Sequence, residues 1–302
     1  MLVGIDIGGT AIKAGITTLD GVVAVRRQIP FDRGLSFDGL IASLSATVDA
    51  LCNEAGANAQ AIGVCLPGFV DRQSGMLVDG GSNVSALREK SLAAHLQAAT
   101  GLPVRIENDG MAATVGEARF GSGRGLRRFA LLTIGTGVGG AVFIDGSVIA
   151  GSRGEPPEIG AIVVSREGER PAPFETLACA GAFLDRYRRH SGRSVDSLPD
   201  LFAVLNEDDA AARAVDEIGE IIAGVFAPLI NALNLEACIL GGGVAAAGEA
   251  LLEPIRAHLP PLTWPLLGRN CQILQAACGN EAGLLGAAWL AGTNADFQRA
   301  AQ

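Results

Sequence analysis

The same succession occurs twice in this chain: an apolar strand, a glycine turn, a second strand, an Asp-Gly pair and a third strand. "LVGIDI" (2–7) runs into "GGT", then "AIKAGITT", then Asp20-Gly21, then "VVAVRRQI". "FALLTI" (129–134) runs into "GTGVGG", then "AVFI", then Asp145-Gly146, then "SVIAG". Gly8 lies 12 residues before Asp20 and Gly135 lies 10 before Asp145. Asp-Gly between apolar runs is a tight hairpin turn, so each copy predicts a three-stranded antiparallel meander. Two halves that open on the same device are the mark of an internal duplication.

Each meander is followed by alternating helical and strand patterns. Leu40, Leu44, Val48 and Leu51 give helical spacing across 36–56, and the strand "AIGVCL" follows, ending at Pro67-Gly68. A helix near 89–100, a strand "LPVRIEN" (102–108) and a helix over about 110–119 complete the first half. In the second half the pattern predicts a helix around 212–234, a strand "EACILGGGV" (236–244), a helix over about 246–258 and a last helix in "EAGLLGAAWLAG". Alternation of this kind implies an α/β architecture, with function at the carboxyl ends of the strands.

Three strand ends run directly into glycine: "DIGGT" (6–10), "TIGTGVGG" (133–140) and "LGGGV" (240–244). Glycine permits positive φ and lets backbone N–H groups approach a ligand with no Cβ in the way, which suits an oxyanion such as phosphate. Gly135, Gly137 and Gly140 formally satisfy G-x-G-x-x-G. A dinucleotide fingerprint must open a helix, however, and this one opens a strand and a hairpin. The chain also lacks G-x-x-x-x-G-K-[ST], so both of the commoner nucleotide motifs are excluded.

Composition narrows the partners. Of the 302 residues, 49% are hydrophobic and 18% charged, which is the balance of a folded chain of about two domains. A formal charge of -9 repels phosphate backbones and anionic membranes, so neither nucleic acid nor membrane is an expected partner. The densest basic run, "RGLRR" (124–128), reads as a solvated loop. Six cysteines with no C-x-C or C-x-x-C spacing read as reduced core thiols, which favours a cytoplasmic location. No uncharged run reaches the ~20 apolar residues of a spanning helix.

The stretches "GIDIGGTAIKAGI", "GVCLPGFVD", "IENDGMAATVGEARFGSGRG", "TIGTGVGGAVFIDG", "EIGAIVV" and "ILGGGV" occur in the order of the successive motifs of the ROK family of sugar kinases and sugar-responsive repressors, which the chain resembles from residue 2 to about 290. The resemblance implies the duplicated α/β fold of the actin, hexokinase and Hsp70 ATPases (ribonuclease H-like), with an interdomain cleft. The lobes are expected over 1–112 with about 284–302, and over 113–283. It implies an ATP site built from two phosphate hairpins: Asp6, Gly8, Gly9, Thr10 and Lys13 in the first, Thr133, Gly135, Thr136 and Gly137 in the second. Gly241, Gly242 and Gly243 are expected beneath the adenosine. Asp6 would hold Mg²⁺ through water, as hard oxygen donors do, or, on the residues alone, would cap a turn.

On the acceptor side the resemblance makes Asp109 the general base for the sugar hydroxyl. An aspartate at its ordinary pKa near 3.9 is ionised at neutral pH and can act without tuning. On the residues alone, Asn108 and Asp109 are equally good helix N-caps. Asn83, Asn108, Glu158 and Glu175 are the further sugar-binding candidates, since amides and carboxylates pair with adjacent hydroxyls. Glu158 could equally be a loop charge, and Glu175 could favour a helix N-terminus through its dipole.

One departure from the family pattern is marked. Where the family has a His followed by a cysteine cluster that binds structural zinc, this chain has Ala161, and residues 151–180 hold no His and only Cys179. One thiol cannot build a tetrahedral zinc site. No zinc is therefore expected, and "SREGERPAPFE" reads as a shortened metal-free replacement. Ala161 leaves room for a bulkier substituent beside the sugar, such as an N-acetyl group or a different hexose, or it marks a weakened enzyme. The expected activity is ATP-dependent phosphorylation of a hexose or N-acetylhexosamine at the 6-hydroxyl. The alternatives are a non-catalytic sugar sensor without its own DNA-binding head, and a kinase for a non-sugar acceptor. A homodimer is the family's habit.

Overall fold

The computed structural model describes residues 1–32, 34–72, 74–80, 87, 90–164 and 170–293. Asn83 and residues 165–169 of the expected metal-free replacement lie outside the described residues. The chain divides into two compact units: Met1–Arg124 with Val148–Pro157 and Asn280–Gln302, and Gly125–Ser147 with Glu158–Gly279. The first boundary falls at 124/125, where the sequence suggested 112/113. A cut at 112 would pass through a continuous helix, 109–120, that packs inside the first unit.

The first unit opens with the expected meander, β1 (Leu2–Ile7), β2 (Ala11–Thr17) and β3 (Val23–Pro30). α1 (Phe37–Ala55) follows, started by Ser36, whose Oγ accepts from Gly39 N, and ended by Gly56 at φ 60. Then come β4 (Ile62–Leu66), a small hairpin of β5 (Phe69–Asp71) and β6 (Met76–Asp79), α2 (Leu92–Thr100), β7 (Val104–Asn108) and α3 (Asp109–Phe120). α10 (Ala282–Gly292) returns to this unit. The sheet order is β3-β2-β1-β4-β7, with β4 parallel to β1 and β7 parallel to β4.

Strand alternation divides the sheet's two faces. Val3, Ile5, Ile7, Val64 and Leu66 form one core with Leu40, Leu44, Val48 and Leu51 of α1. The intervening residues, Leu2, Gly4, Asp6, Gly63 and Cys65, turn toward α10 and α3. α10 lies directly on the glycines: a Cβ on Gly63 would stand 1.9 Å from Ala287 O, and one on Gly4 would stand 2.2 Å from Leu284 O. α3 and α10 meet just as closely, with Gly286 against Ala112 O and Gly116 against Ala282 O.

The second unit repeats the plan. β8 (Arg128–Ile134), β9 (Val138–Ile144) and β10 (Ser147–Val148) form the meander, followed by β11 (Val163–Val164), β12 (Ala172–Pro173), α4 (Phe174–Ala178), α5 (Ala180–Ser191), α6 (Leu198–Ala203) and α7 (Asp209–Leu233). β13 (Ala237–Gly241), α8 (Glu249–His258), α9 (Pro265–Asn270) and β14 (Gln272–Gln275) complete it. Its sheet order is β10-β9-β8-β13-β14, so each sheet runs third strand, second, first, fourth, fifth. The duplication expected from the two glycine turns therefore extends through five strands. Asp145 and Gly146, at φ 48 and 99, make the left-handed two-residue turn that this hairpin requires.

Three local expectations are corrected. The strand "SVIAG" shrinks to Ser147–Val148. The run "RGLRR" is exposed loop at Arg124 and Arg127, but Arg128 begins β8 and donates from Nη1 to Leu233 O, and both Arg127 and Arg128 pair with Asp145. Those two guanidiniums, Arg128 first, hold the Asp145 carboxyl below its ordinary pKa. The third concerns the glycines. Gly8, Gly9, Gly135 and Gly137 are not among the residues at positive φ, whereas Gly140 at φ 141 and Gly242 at φ 77 are, so only some positions of these strand ends use glycine for its backbone freedom.

Candidate active site

In the first unit the strand register gathers a polar row at the carboxyl end of the sheet. Asp6 faces Lys13 across β1 and β2 and Cys65 across β1 and β4, and Cys65 faces Glu107 across β4 and β7. Lys13 Nζ lies 3.9 Å from Asp6 Oδ2. The Asp6 side chain is 21% exposed, and the first turn of α10 comes over it, with the Cβ position of Gly283 3.6 Å from Asp6 Cγ and 3.2 Å from Cys65 Sγ. Burial raises the Asp6 pKa, against the opposing pull of Lys13 and of the Cys65 thiol, which hydrogen-bonds to it. Burial, and next the charge of Asp6, push the Cys65 thiol well up, so it stays protonated and donates. The turn between β1 and β2 closes with Gly8 N donating to Ala11 O at 3.0 Å, leaving Thr10 exposed at its tip.

At the end of β7 the capping role falls on one residue of the Asn-Asp pair. Asn108 is the N-cap of α3: its Oδ1 accepts from Met111 N at 3.0 Å while its Nδ2 donates to Gly68 O at 3.0 Å. Asp109 is the first residue of the helix, and its Oδ1 accepts from Gly110 N at 2.8 Å. The carboxylate thus stands at the positive end of a helix whose start is fixed by the capping amide.

Behind this pair lies a residue that sequence reasoning missed. Glu107 is 2% exposed; its Oε2 accepts from Arg72 Nε at 3.0 Å and Nη2 at 2.9 Å, and its Oε1 accepts from Asn108 N at 3.1 Å. A buried carboxylate needs a paired cation and satisfied oxygens, and Glu107 has both. The available signal was the charged alternation Arg105, Glu107 inside the strand "VRIEN", which calls for a polar partner on that face.

In the second unit the turn 134–138 is held from below. Gly135 N donates to Gly137 O at 2.9 Å, and Gly135 O accepts from Ala180 N, at the start of α5, at 2.7 Å. Val138 N donates to Glu175 Oε2 at 2.8 Å. Among the described residues the N–H groups of Thr136 and Gly137 have no protein acceptor, so this turn offers two donors to an anion. Thr133 pairs with Gly139 in the hairpin and with Gly241 of the parallel strand β13. Gly242 then bends at φ 77 with its Cβ position 2.4 Å from Ile134 O, and Gly243 is exposed. All three glycines therefore lie at the same strand ends as the turn, and Gly242 fits there only for want of a side chain.

Glu158 is exposed and opens the 3-10 turn Ile159–Ala161. Gly160 packs this turn against β9 and Glu175, with its Cβ position 3.0 Å from Val138 O and 3.4 Å from Glu175 Cβ. Ala161 is exposed beside them. The unit thus brings Glu158, Ala161, Glu175 and the turn 135–137 into one neighbourhood. No group of three or more His, Cys, Asp or Glu able to hold a metal occurs among the described residues, and no helix among them is long and apolar enough to cross a membrane.

Comparison with known proteins fits this geometry. The model of the ROK family matches residues 2–294. A glucokinase from Halalkalibacterium halodurans is 32% identical over 95% of this chain and 94% of its own length. A beta-glucoside kinase from Listeria monocytogenes is 30% identical over 94% of this chain and 95% of its own. The crystal structure of a ROK family glucokinase from Streptomyces griseus, in complex with glucose and AMPPNP, superposes with a TM-score of 0.80 at 28% identity, covering 97% of this chain and 99% of that one. The duplicated α/β ATPase fold expected from the sequence is the fold of this chain. With the model matched over nearly its whole length and relatives of equal extent, the chain belongs to the ROK family.

Proposed function

We propose that this protein is an ATP-dependent sugar kinase that phosphorylates a hexose or an N-acetylhexosamine at its 6-hydroxyl. The observation that supports the reading is a turn with the Thr136 and Gly137 N–H groups open, suited to a phosphate, together with the carboxylate of Asp109 held at the end of β7 beside the Asn108 cap. Relatives named for glucose and β-glucoside phosphorylation support the acceptor class.

In this mechanism the sugar hydroxyl gives its proton to Asp109 as its oxygen attacks the γ-phosphorus, and ADP leaves with the bridging oxygen. Asn108 and Glu107 support Asp109 through the helix. They fix the start of α3 and so the direction of the Asp109 carboxylate. Asn83, Asn108, Asp109, Glu158 and Glu175 are proposed to bind the sugar, and Ala161 to give its substituents room. Gly8, Gly9, Thr10 and Lys13 are proposed to line the phosphate site with Thr133, Gly135, Thr136 and Gly137, with Gly241, Gly242 and Gly243 under the adenosine.

Asp6 fits a Mg²⁺ ion held through water. It is a single hard oxygen donor whose burial disfavours its charge, so it gains from a nearby cation, and its setting resembles no all-protein cage. When bound, such an ion supplies neutralisation of phosphate charge. A homodimer, proposed from family habit, and a cytoplasmic location, supported by six free cysteines, complete the proposal.

The test is a coupled ADP-release assay with Mg·ATP over a panel of hexoses and N-acetylhexosamines. Turnover dependent on one class of sugar is expected. No turnover with any of them, alongside a sugar that raises thermal stability, would put a sugar sensor in its place.

A further inference from the structure

The contact between Glu175 and the turn 134–138 brings a proposed acceptor-binding residue onto the proposed phosphate turn within one unit. One oxygen of a carboxylate already occupies an N–H of a turn whose neighbouring N–H groups, on Thr136 and Gly137, are open to an anion. Its Oε2 lies 2.8 Å from the Cβ position of Gly137, so the glycine is what makes room for it. On its other side Glu175 packs against Gly160, inside the Glu158–Ala161 turn. A triphosphate on Thr136 and Gly137 would therefore bring its charge up against a carboxylate of the same sign.

From this we infer that Glu175 guards the phosphate turn and releases it in response to the acceptor. Without a sugar, its carboxylate sits on Val138 N and repels the nucleotide. A polyol that hydrogen-bonds to Glu175 draws the carboxylate off the turn, frees Val138 N as a third donor and removes the repulsion. Nucleotide affinity then depends on the acceptor, and ATP is protected from hydrolysis until an acceptor is present. By linkage, the nucleotide raises sugar affinity by the same factor. The inference rests on the sugar-kinase reading for the identity of the acceptor, but its first readout needs no sugar.

The experiment titrates a non-hydrolysable ATP analogue with Mg²⁺ into wild type, Glu175→Ala and Glu175→Gln by calorimetry, first without sugar and then with the sugar that supports turnover. Sugar-free affinity is expected to rise at least ~10-fold in Glu175→Ala, within the usual range of coupling between sites. It should rise in Glu175→Gln as well, because the amide keeps an acceptor for Val138 N but loses the charge. Sugar should tighten the analogue in wild type and leave Glu175→Ala unchanged. If Glu175→Ala fails to fold, Glu175→Gln carries the test. Sugar-free binding in the folded variants that is equal to or weaker than wild type would overturn the inference and make Glu175 a brace of the turn. Sugar turnover by wild type with unchanged variant affinity would remove the guard alone. Absence of analogue binding by all three proteins would remove the kinase reading with it.

Discussion

Asp6 is a carboxylate held against its own burial. Its pKa is raised by desolvation more than Lys13 and Cys65 lower it, so the folded protein binds this proton more tightly than the unfolded chain does. That preference stabilises the fold fully below the ordinary Asp pKa near 3.9 and is lost as pH rises through the folded value. At neutral pH the ionised group is therefore a cost to stability. Asp6→Asn should raise the thermal midpoint at pH 7, with the gain closing toward pH ~4, while turnover falls at least ~100-fold. A midpoint at pH 7 that falls would show that the ion pair with Lys13 outweighs the burial. Residues of this kind were legible because their signals are local: Asp6 ends "GIDI" before two glycines, and Asn108-Asp109 stand between a strand and a helix. Glu107 was not, because its meaning comes from Arg72, 35 residues earlier, and from a strand register that no local pattern states.

At the scale of elements, α10 is seated by glycines of β1, β4 and α3 and by its own Gly283 and Gly286. Gly63→Ala would drive a Cβ into the Ala287 carbonyl, where backbone rather than a flexible side chain must move. The cost should exceed the usual range for overpacking, at about 3 kcal/mol or more by urea denaturation. Gly101→Ala is the contrast. It stands at φ 72 with open space around it, so only backbone strain of about 1–2 kcal/mol is expected. Equal losses in the two variants would mean that α10 does not lie on Gly63. The meanders, α1, α7 and α10 were legible because long apolar spacing and Asp-Gly turns are written in the sequence itself. β14 was not: "QILQ" is four residues long and becomes a strand through its register with β13, Ala237 to Gln272 onward. α5 escaped because its first residues, Ala180 and Gly181, continue the small-residue run after Cys179, and its apolar face of Ala182, Phe183, Leu184 and Tyr187 stands among many charges.

At the scale of the whole molecule, two sheets with one strand order place their loops by the same rule. In each, the turn between the first two strands and the residues following the parallel strands gather at one edge, and the candidate site residues come from those edges: Asp6, Gly8 and Asp109 in one unit, Thr136, Gly137 and Gly242 in the other. The repeated glycine device makes this architecture readable from the amino-acid sequence alone. The acceptor side is less readable, because Ala161 and the segment following it depart from the family at the positions expected to shape that side. In the proposed function this architecture delivers a sugar hydroxyl to Asp109. With the sugar found by the ADP-release panel, its dissociation constant and kcat should be measured in wild type and Asp109→Ala. Retained sugar binding with kcat lowered at least ~100-fold, the scale of a lost general base, is the predicted result. Near-normal kcat in the variant would contradict it.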